Sequence, residues 1–209
     1  MKIALFGASG MIGSRILEEA LSRNHQVTAV VRDPSRITSH PARAVVTGDI
    51  LNPAQVAEIV AGHDVAINAT SQGLEPGQTA VDAAHSLLDG LKQAGVQRVL
   101  VVGGAGSLEV APGVQLVDAP GFPPDWRGVA SAHRDALGVY READLDWTYI
   151  SPSAMIQPGE RRGQFRTGGD QLLTDENGNS HISTDDFAIA ILDEVERPQS
   201  IRRRMTVGY

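Results

Sequence analysis

Residues 2–13 read KIALFGASGMIG and combine a buried strand, a glycine-rich turn and the start of a helix. The apolar run from Ile3 to Phe6 predicts a fully buried strand. Three glycines follow at intervals of three residues. Gly7 allows a sharp turn with a positive φ, Gly10 allows close approach of a ligand, and Gly13 allows the helix to pack near the strand. Strand, glycine turn and helix in this order typically receive the pyrophosphate of a dinucleotide.

The turn residues are therefore candidate cofactor ligands. The N–H groups around Met11 and Ile12 precede the helical hydrogen bonds, and the positive end of the helix dipole attracts an anion. The spacing is GxxGxxG rather than GxGxxG, and a glycine triplet also occurs in ordinary turns between strands and helices. The candidate phosphate ligands are Gly7, Ala8, Ser9, Gly10, Met11, Ile12 and Gly13.

Composition limits the kind of protein. The 209 residues suffice for one sizeable core, so we expect a single domain over 1–209. Aromatic residues make up only 4%, and a core of Val, Ile, Leu and Ala suits a parallel sheet covered by helices. A net charge of −7 argues against a nucleic-acid partner. Cysteine is absent, which excludes disulfides, thiolate metal sites and a thiol nucleophile, and we expect no metal site.

The sequence also predicts a cytoplasmic protein without a membrane partner. No apolar run approaches the roughly 20 residues that span a bilayer. The first residues already belong to the first strand, which leaves no room for a signal peptide. The one basic cluster, Arg202 to Arg204, is expected at a solvated strand edge.

Strand and helix patterns alternate through the first half, which predicts a doubly wound parallel α/β sheet, the Rossmann fold. The expected strands after the first are 27–31, 44–47, 64–68 and 98–102. The expected helices are 11–23, 53–62 and 78–94.

The second half is expected to hold a small substrate region, mostly residues 151–183. Long loops are expected over 107–126 and 151–170, since both are rich in Pro and Gly. Residues 172–174 and 181–183 flank Asn177-Gly178 and predict a hairpin. Helices are expected over 130–143 and from Ser183 to Val195, with a strand over 147–150.

Arg32 lies at the end of the second strand, where this fold meets the adenosine ribose. Its guanidinium suits the 2′-phosphate of NADP, and Arg36 adds a second charge. Asp33 offers a competing interpretation, because a carboxylate at the ribose would favour NAD. We favour NADP over NAD.

Further candidate cofactor ligands follow other strands, where open α/β sheets bind ligands. Asp49 is expected to accept from the adenine amino group while the Ile50 backbone completes the contact; alternatively, Asp49 caps the helix that begins at Pro53. The remaining candidates are Ala69, Thr70, Gly103, Gly104 and Pro152.

Several stretches together resemble the atypical short-chain dehydrogenase/reductase group, and more narrowly the NADH-flavin reductases near the NmrA-like and biliverdin/flavin reductase proteins. They are GASGMIG, VVRDPSR, GDILNP, VVGGAGSLEV, LDWTYISPSA and DQLLTDENGNSHIS…RMTVGY. The resemblance spans the chain. It implies a Rossmann domain with a small C-terminal substrate region, NAD(P)H binding, and hydride delivery to flavins or other small-molecule acceptors.

One departure from that group concerns the proton donor. The wider superfamily uses a Ser and then Tyr-x-x-x-Lys, and no Tyr-x-x-x-Lys occurs in this chain. Counting back from Ser151-Pro152, the Tyr position falls at Val129 and the Lys position at His133, while the Ser position falls in Gly103-Gly104. His133 is the one candidate catalytic residue, as a partner of the nicotinamide ribose or a proton donor near pH 7, and a solvated helix histidine is the alternative.

The leading hypothesis is an oxidoreductase that passes hydride from NADPH to a flavin or similar planar acceptor, since such a transfer needs positioning more than a strong acid. The alternative is an NmrA-like redox sensor that binds a dinucleotide and a protein partner. A nucleotide-sugar epimerase or dehydratase would need the missing tyrosine. Arg161 and Arg162 are candidates to meet a flavin phosphate, with exposed loop charges as the alternative.

Overall fold

Strands and helices alternate along the part of the chain that this computed structural model describes, residues 1–37, 44–70 and 79–209. The strands are β1 (Lys2–Phe6), β2 (Gln26–Val31), β3 (Ala44–Thr47), β4 (Val65–Asn68), β5 (Arg98–Val102), β6 (Glu109–Ala111), β7 (Val114–Gln115), β8 (Asp146–Pro152), β9 (Met155–Gln157), β10 (Arg166–Gly168), β11 (His181–Ser183) and β12 (Arg203–Gly208). The helices are α1 (Met11–Ser22), α2 (Pro53–Val60), α3 (Ala80–Ala94), α4 (Pro124–Arg141) and α5 (Thr184–Glu196), with 3₁₀ turns at Pro34–Arg36 and Leu116–Asp118.

The central sheet has the strand order β10-β12-β8-β5-β4-β1-β2-β3 within the described residues. Its neighbouring strands run parallel except for β10, which pairs antiparallel with β12. The strand order reverses at β1, which lies between β2 and β4, and ligands of such sheets bind beyond the carboxyl ends at this reversal. The predicted doubly wound Rossmann architecture is confirmed.

Helices cover both faces of the sheet, and alternate residues of each strand point into separate cores. Ile3 and Leu5 of β1 belong to the core that includes residues of α1 and α5. Ala4 and Phe6 belong to the core that includes residues of α2, α3 and α4. Strands β1, β4, β5 and β8 are buried on both sides, which explains why the sequence shows continuous apolar runs there rather than alternation.

The register aligns residues of seven strands in one row, which lies at or next to the carboxyl ends of β1 to β5 and inside β8 and β12. The row passes through Val46, Val30, Phe6, Asn68, Val101, Tyr149 and Arg204. The predicted ligands that follow β1, β2, β3, β4, β5 and β8 lie one to several residues beyond this row. They therefore share one edge of the sheet, which we call the carboxyl edge.

The structure corrects the predicted hairpin around Asn177-Gly178. Strand β11 pairs in parallel with β9, with His181 opposite Met155, and not with residues 172–174. The Asn-Gly turn does form, because the Gly178 N–H donates to the Asp175 carbonyl. A turn motif specifies the local bend, whereas the partner strand is selected by packing over a longer range.

The two long loops contain more regular structure than expected. Helix α4 begins at Pro124 rather than at residue 130, and residues 109–115 form the β6–β7 hairpin. Strand β8 extends to Pro152, and β9 and β10 lie in the second predicted loop. The predicted start of α3 at Gln78 lies outside the described residues. No helix in the described ranges is long and apolar enough to cross a membrane.

The expectation of a solvated edge for residues 202–204 is wrong for Arg204. Strand β12 lies between β10 and β8, and only 5% of the Arg204 side chain is exposed. Its guanidinium donates from Nε to Asp170 at 2.8 Å and from Nη1 to the Ser107 hydroxyl at 2.8 Å. Arg204 therefore joins β12 to the segment after β5 and to residue 170.

The packing of α1 on β1 generates a stability prediction. A Cβ added at Gly13 would lie 2.0 Å from the Gly7 carbonyl oxygen, so the helix would have to move away from the strand. We expect Gly13→Ala to lower the free energy of unfolding by about 1–3 kcal/mol or more, measured by urea denaturation.

Gly138→Ala is the matched control, because Gly138 lies in α4 with nothing within 4 Å of its added Cβ. This variant should be neutral or more stable by up to about 1 kcal/mol, owing to the higher helix propensity of alanine. Equal stability of the two variants would contradict the proposed close contact.

Candidate functional site

The turn after β1 makes the closest backbone contacts at the carboxyl edge. Gly7 has φ +79°, as expected, and a Cβ there would lie 2.6 Å from the Ala69 carbonyl oxygen at the end of β4. The Gly10 N–H donates to the Gly7 carbonyl at 3.0 Å and closes the turn. The three glycines thus allow β1, β4 and α1 to meet with only backbone between them.

Helix α1 presents its positive end at this turn. Gly10 is the N-cap residue, no side chain caps the helix, and its first turn holds no acidic residue. The first backbone donors of a helix have no carbonyl partner inside the helix. A Cβ at Gly10 would approach only the Gly7 carbonyl oxygen, at 3.3 Å. These features fit an anion such as a dinucleotide pyrophosphate.

The end of β2 carries Arg32 and Asp33 in different settings. The Asp33 carboxylate accepts from the Ser35 N–H at 3.0 Å and from the Ser35 hydroxyl at 2.7 Å. These bonds, with a smaller contribution from Arg36, hold the pKa of Asp33 below its usual value. Asp33 thus caps the 3₁₀ turn at Pro34–Arg36, while Arg32 is exposed at the carboxyl edge.

Asp49 and Ile50 follow β3, and neither acts as the helix cap that the alternative suggested. Asn52 is the N-cap of α2, accepting from the N–H groups of Ala54 and Gln55. The Asp49 carboxylate accepts from the Leu51 N–H at 3.0 Å. The Ile50 side chain is buried in the core, so only its backbone remains for the predicted adenine contact.

The end of β4 is organised by a side chain that sequence reasoning missed. Asn68 is buried, and its side-chain oxygen Oδ1 accepts from the Thr70 N–H at 2.9 Å and from the Thr70 hydroxyl at 2.6 Å. Ala69 is buried against the glycine turn. A polar residue that ends the apolar run VAIN was a usable signal for this position.

Gly104 and Gly106 after β5 allow α4 to lie against the carboxyl edge, and Gly103 makes room for the Tyr149 ring of β8. An added Cβ would lie 2.0 Å from the Tyr149 ring at Gly103, 3.0 Å from the His133 Cβ at Gly104, and 2.7 Å from the Ala130 Cβ at Gly106. The predicted ligands Gly103 and Gly104 are therefore required by packing. Their contact with a cofactor remains a prediction.

His133 lies on the face of α4 that meets these glycines. The Tyr149 hydroxyl donates to the His133 carbonyl at 2.8 Å and lies 3.4 Å from His133 Nδ1. Desolvation lowers the pKa of the His133 ring below its ordinary value. Desolvation raises the pKa of Tyr149, and nearby Tyr140 raises it further. These shifts reduce the imidazolium fraction of His133 and make the Tyr149 hydroxyl a weaker acid.

The end of β8 carries Pro152, which is buried, and Ser151, whose hydroxyl is also buried. Ser151 lies opposite Thr206 of β12 in the parallel register. Neither hydroxyl has a hydrogen-bond partner among the described residues. Buried hydroxyls usually form a hydrogen bond with a protein group or an ordered water. These two hydroxyls therefore retain unused hydrogen-bonding capacity at this end of the sheet.

Arg161 and Arg162 are half exposed, and each also has a partner within the chain, while their contact with a flavin phosphate remains a prediction. Arg161 pairs with Glu19 of α1 at 3.0 Å, and the Arg162 guanidinium lies 4.3 Å from the centre of the Tyr209 ring. The N–H of Arg162 donates to the buried Asp186 carboxylate at 3.1 Å. These contacts fasten the segment between β9 and β10 to α1 and α5.

The site residues thus fall into two groups. The glycine turn, the uncapped α1, Arg32, Asp49 and Thr70 border the reversal of strand order at β1, and these residues fit a dinucleotide. His133, Tyr149 and Ser151 lie on the β5, β8 and α4 side. Tyr149 and Arg204 had no sequence signal, because burial of their polar groups depends on partners from distant segments.

Comparisons with known proteins agree with this geometry. Residues 7–198 match the model of the NAD(P)H-binding family. A "putative exported protein" of Burkholderia pseudomallei is 51% identical, with 100% of both chains covered and a TM-score of 0.91. A "putative epimerase" of Bacteroides thetaiotaomicron is 39% identical over 100% of this chain and 96% of that one, with a TM-score of 0.92. A "putative NADH-flavin reductase" of Streptococcus pneumoniae is 32% identical over 100% and 99%, with a TM-score of 0.86.

The three names differ, so the similarity identifies the fold and the family and leaves the reaction to be argued from the site. The matched segment begins at Gly7, the first glycine of the turn, and includes the residues of both groups at the carboxyl edge. The chain belongs to the NAD(P)H-binding family and has its Rossmann-like fold.

Proposed function

We propose that this protein is an oxidoreductase that passes hydride from NADPH to a planar acceptor such as a flavin. The observation that carries the proposal is that the glycine turn is intact while the positions that hold the superfamily's proton donor carry no strong acid. The helix face that holds a proton donor in the wider superfamily here presents Val129 and His133. The lowered pKa of His133 reduces the fraction of imidazolium that could donate a proton at pH 7.

The residues of the chain then act by binding and orienting. The turn and the positive end of α1 would hold the pyrophosphate, and Asp49 would receive the adenine. Neutral His133 can accept a hydrogen bond from a ribose hydroxyl. Bound NADPH would supply two electrons and one hydrogen as hydride to the acceptor, and water would supply any further proton. Positioning of two rings accounts for most of the rate in such a transfer, so no strong acid is required.

The choice of a flavin is supported by the structural relative named as an NADH-flavin reductase, which shares 32% identity over the whole chain. A carbonyl acceptor needs protonation of its oxygen as the hydride arrives. Because the lowered pKa of His133 leaves less imidazolium and the raised pKa of Tyr149 makes its hydroxyl a weaker acid, an acceptor that tolerates delayed protonation fits the site better. We propose a cytoplasmic single-domain protein for this role.

The choice of NADPH over NADH is supported by the end of β2. The Asp33 carboxylate accepts hydrogen bonds from the Ser35 N–H and hydroxyl, so it is directed to the local turn rather than to a ribose. Arg32 and Arg36 then give this end of the sheet a positive charge, and a 2′-phosphate is the part of NADPH that such a charge would recognise.

An acceptor screen tests the reaction itself. NADPH oxidation should exceed the rate without protein for at least one of riboflavin, FMN, FAD and simple quinones, followed by loss of NADPH absorbance. The absence of turnover with every acceptor, together with tight NADPH binding, would contradict the enzyme and favour the redox-sensor alternative. In that case a protein partner should bind only one redox form.

Substitution of Arg32 tests the cofactor preference. Arg32→Ala should weaken NADPH binding about 10- to 100-fold, since a charge-assisted contact is lost, and should change NADH binding little. Isothermal titration with both cofactors measures this difference. Arg197→Ala removes an exposed arginine from the end of α5 and is the matched control. Equal weakening of NADPH and NADH in Arg32→Ala would contradict the preference for NADPH.

Titration of His133 tests the absence of a proton donor. NMR should give a His133 pKa below the ordinary value of about 6.5, with His133→Gln used to assign the signal. Because the folded pKa is the lower one, the unfolded chain binds more protons, and this contribution to stability is lost as pH falls below about 6.5. His133→Gln should abolish that pH dependence. A His133 pKa at or above the ordinary value would restore the acid role.

A further inference from the structure

Three large apolar side chains are more exposed to solvent than the others in the described ranges. Trp126 and Met155 are 57% exposed and Met11 is 50% exposed, the highest values among the large apolar residues of the described ranges. Met11 is the first residue of α1, just beyond β1, and Met155 lies three residues beyond β8. Exposed apolar side chains that gather at one place commonly mark a binding site.

Helix packing places Trp126 at the same edge. Ala130 and His133 of α4 contact the glycines that follow β5, and Leu137 and Tyr140 are buried further along the same stripe. Trp126 precedes Ala130 by four residues, so it continues this stripe by one turn toward the helix N-terminus. That turn extends past the carboxyl end of the sheet, because Ala130 already lies against Gly106, four residues after β5 ends.

The three side chains border the edge from both faces of the sheet. Trp126 belongs to α4, on the face of α2 and α3. Met11 belongs to α1, and Met155 lies in β9, whose partner strand β11 leads directly into α5. The carboxyl ends of β1, β4, β5 and β8 lie between these two faces.

We infer that Trp126, Met11 and Met155 form an apolar rim that binds the acceptor, with the Trp126 indole as the surface on which a flat aromatic ring stacks. This inference rests on the proposed function and specifies the residues that recognise the acceptor. An indole offers a large rigid face, and thioethers adapt to flat rings of different outline. The rim therefore selects acceptors by planarity and apolar area rather than by a phosphate group.

The described charges support this choice of class. Arg161 and Arg162 are engaged by Glu19 and Tyr209, and Arg204 is engaged by Asp170 and Ser107. A flavin phosphate would have to compete with these contacts. Riboflavin and unsubstituted quinones, which lack phosphate, should therefore be at least as good acceptors as FMN.

The experiment compares Trp126→Ala with Trp126→Phe in steady-state kinetics and in equilibrium binding of riboflavin in the presence of NADP⁺. Trp126→Ala should raise the KM for riboflavin and its Kd about 10- to 100-fold, while the Kd for NADPH stays within about twofold. Trp126→Phe keeps an aromatic face and should recover most of the loss. Ile201→Ala removes another exposed apolar side chain, next to the amino end of β12, and is the matched control.

Intrinsic fluorescence adds a readout that does not need turnover. The chain has two tryptophans, and Trp147 is only 4% exposed, so the accessible emission comes mainly from Trp126. Riboflavin should quench the emission of the wild-type protein in a saturable way, and this saturable quenching should be lost in Trp126→Ala at concentrations that saturate the wild type.

The outcomes separate the inference from the proposed function. Unchanged riboflavin KM and Kd in Trp126→Ala would overturn the rim, even if the wild type turns over. An unchanged acceptor Kd with loss of a dimer in Trp126→Ala would show that a second copy covers the indole, and would also overturn it. Failure of the wild type to oxidise NADPH would overturn the proposed function, whereas riboflavin quenching of Trp126 would still support the rim.

Discussion

The site depends on how closely backbone segments approach one another at the carboxyl ends of the strands. At Gly7, Gly13 and Gly103 an added Cβ would lie within 2.6 Å of another atom. No side chain can be accommodated at such separations without movement of a strand or helix. The first two positions bring α1 onto β1 and β4, and Gly103 makes room for the Tyr149 ring. The glycine turn and the side of the edge formed by β5, β8 and α4 therefore share the same constraint.

This close packing also determines the electrostatics. The packing of α4 against β8 and the glycines after β5 desolvates the His133 ring and the Tyr149 hydroxyl, and this desolvation favours the uncharged form of each group. At the start of α1 the opposite holds, because the helix N-terminus has no side-chain cap and keeps its positive potential. One side of the edge thus attracts an anion and the other offers an uncharged, partly apolar surface. A charged cofactor and a flat neutral acceptor are the ligands that such a division suits.

Contacts between distant segments hold the substrate side in place. Arg204 joins β12 to Ser107 and Asp170, and Asp186 receives the N–H groups of Arg162 and Gly163 together with the Tyr209 hydroxyl. Such buried charges cost desolvation energy and persist because several hydrogen bonds compensate each one. They fasten irregular segments that have little apolar surface of their own.

The sequence alone was sufficient for the fold and for the glycine turn. Continuous apolar runs, helical periodicity and the glycines at Gly7, Gly10 and Gly13 are local signals, and a parallel sheet with short connections leaves few topologies. Only the tertiary structure decided that β11 pairs with β9, that Arg204 is buried, and that Tyr149 lies beneath His133. Each of these depends on a partner at least 16 residues away in the chain, and the pKa shift of His133 depends on burial that no local pattern encodes. The glycine turn is encoded by neighbouring residues in the sequence. The environment of the proposed acceptor side forms only when distant strands lie side by side.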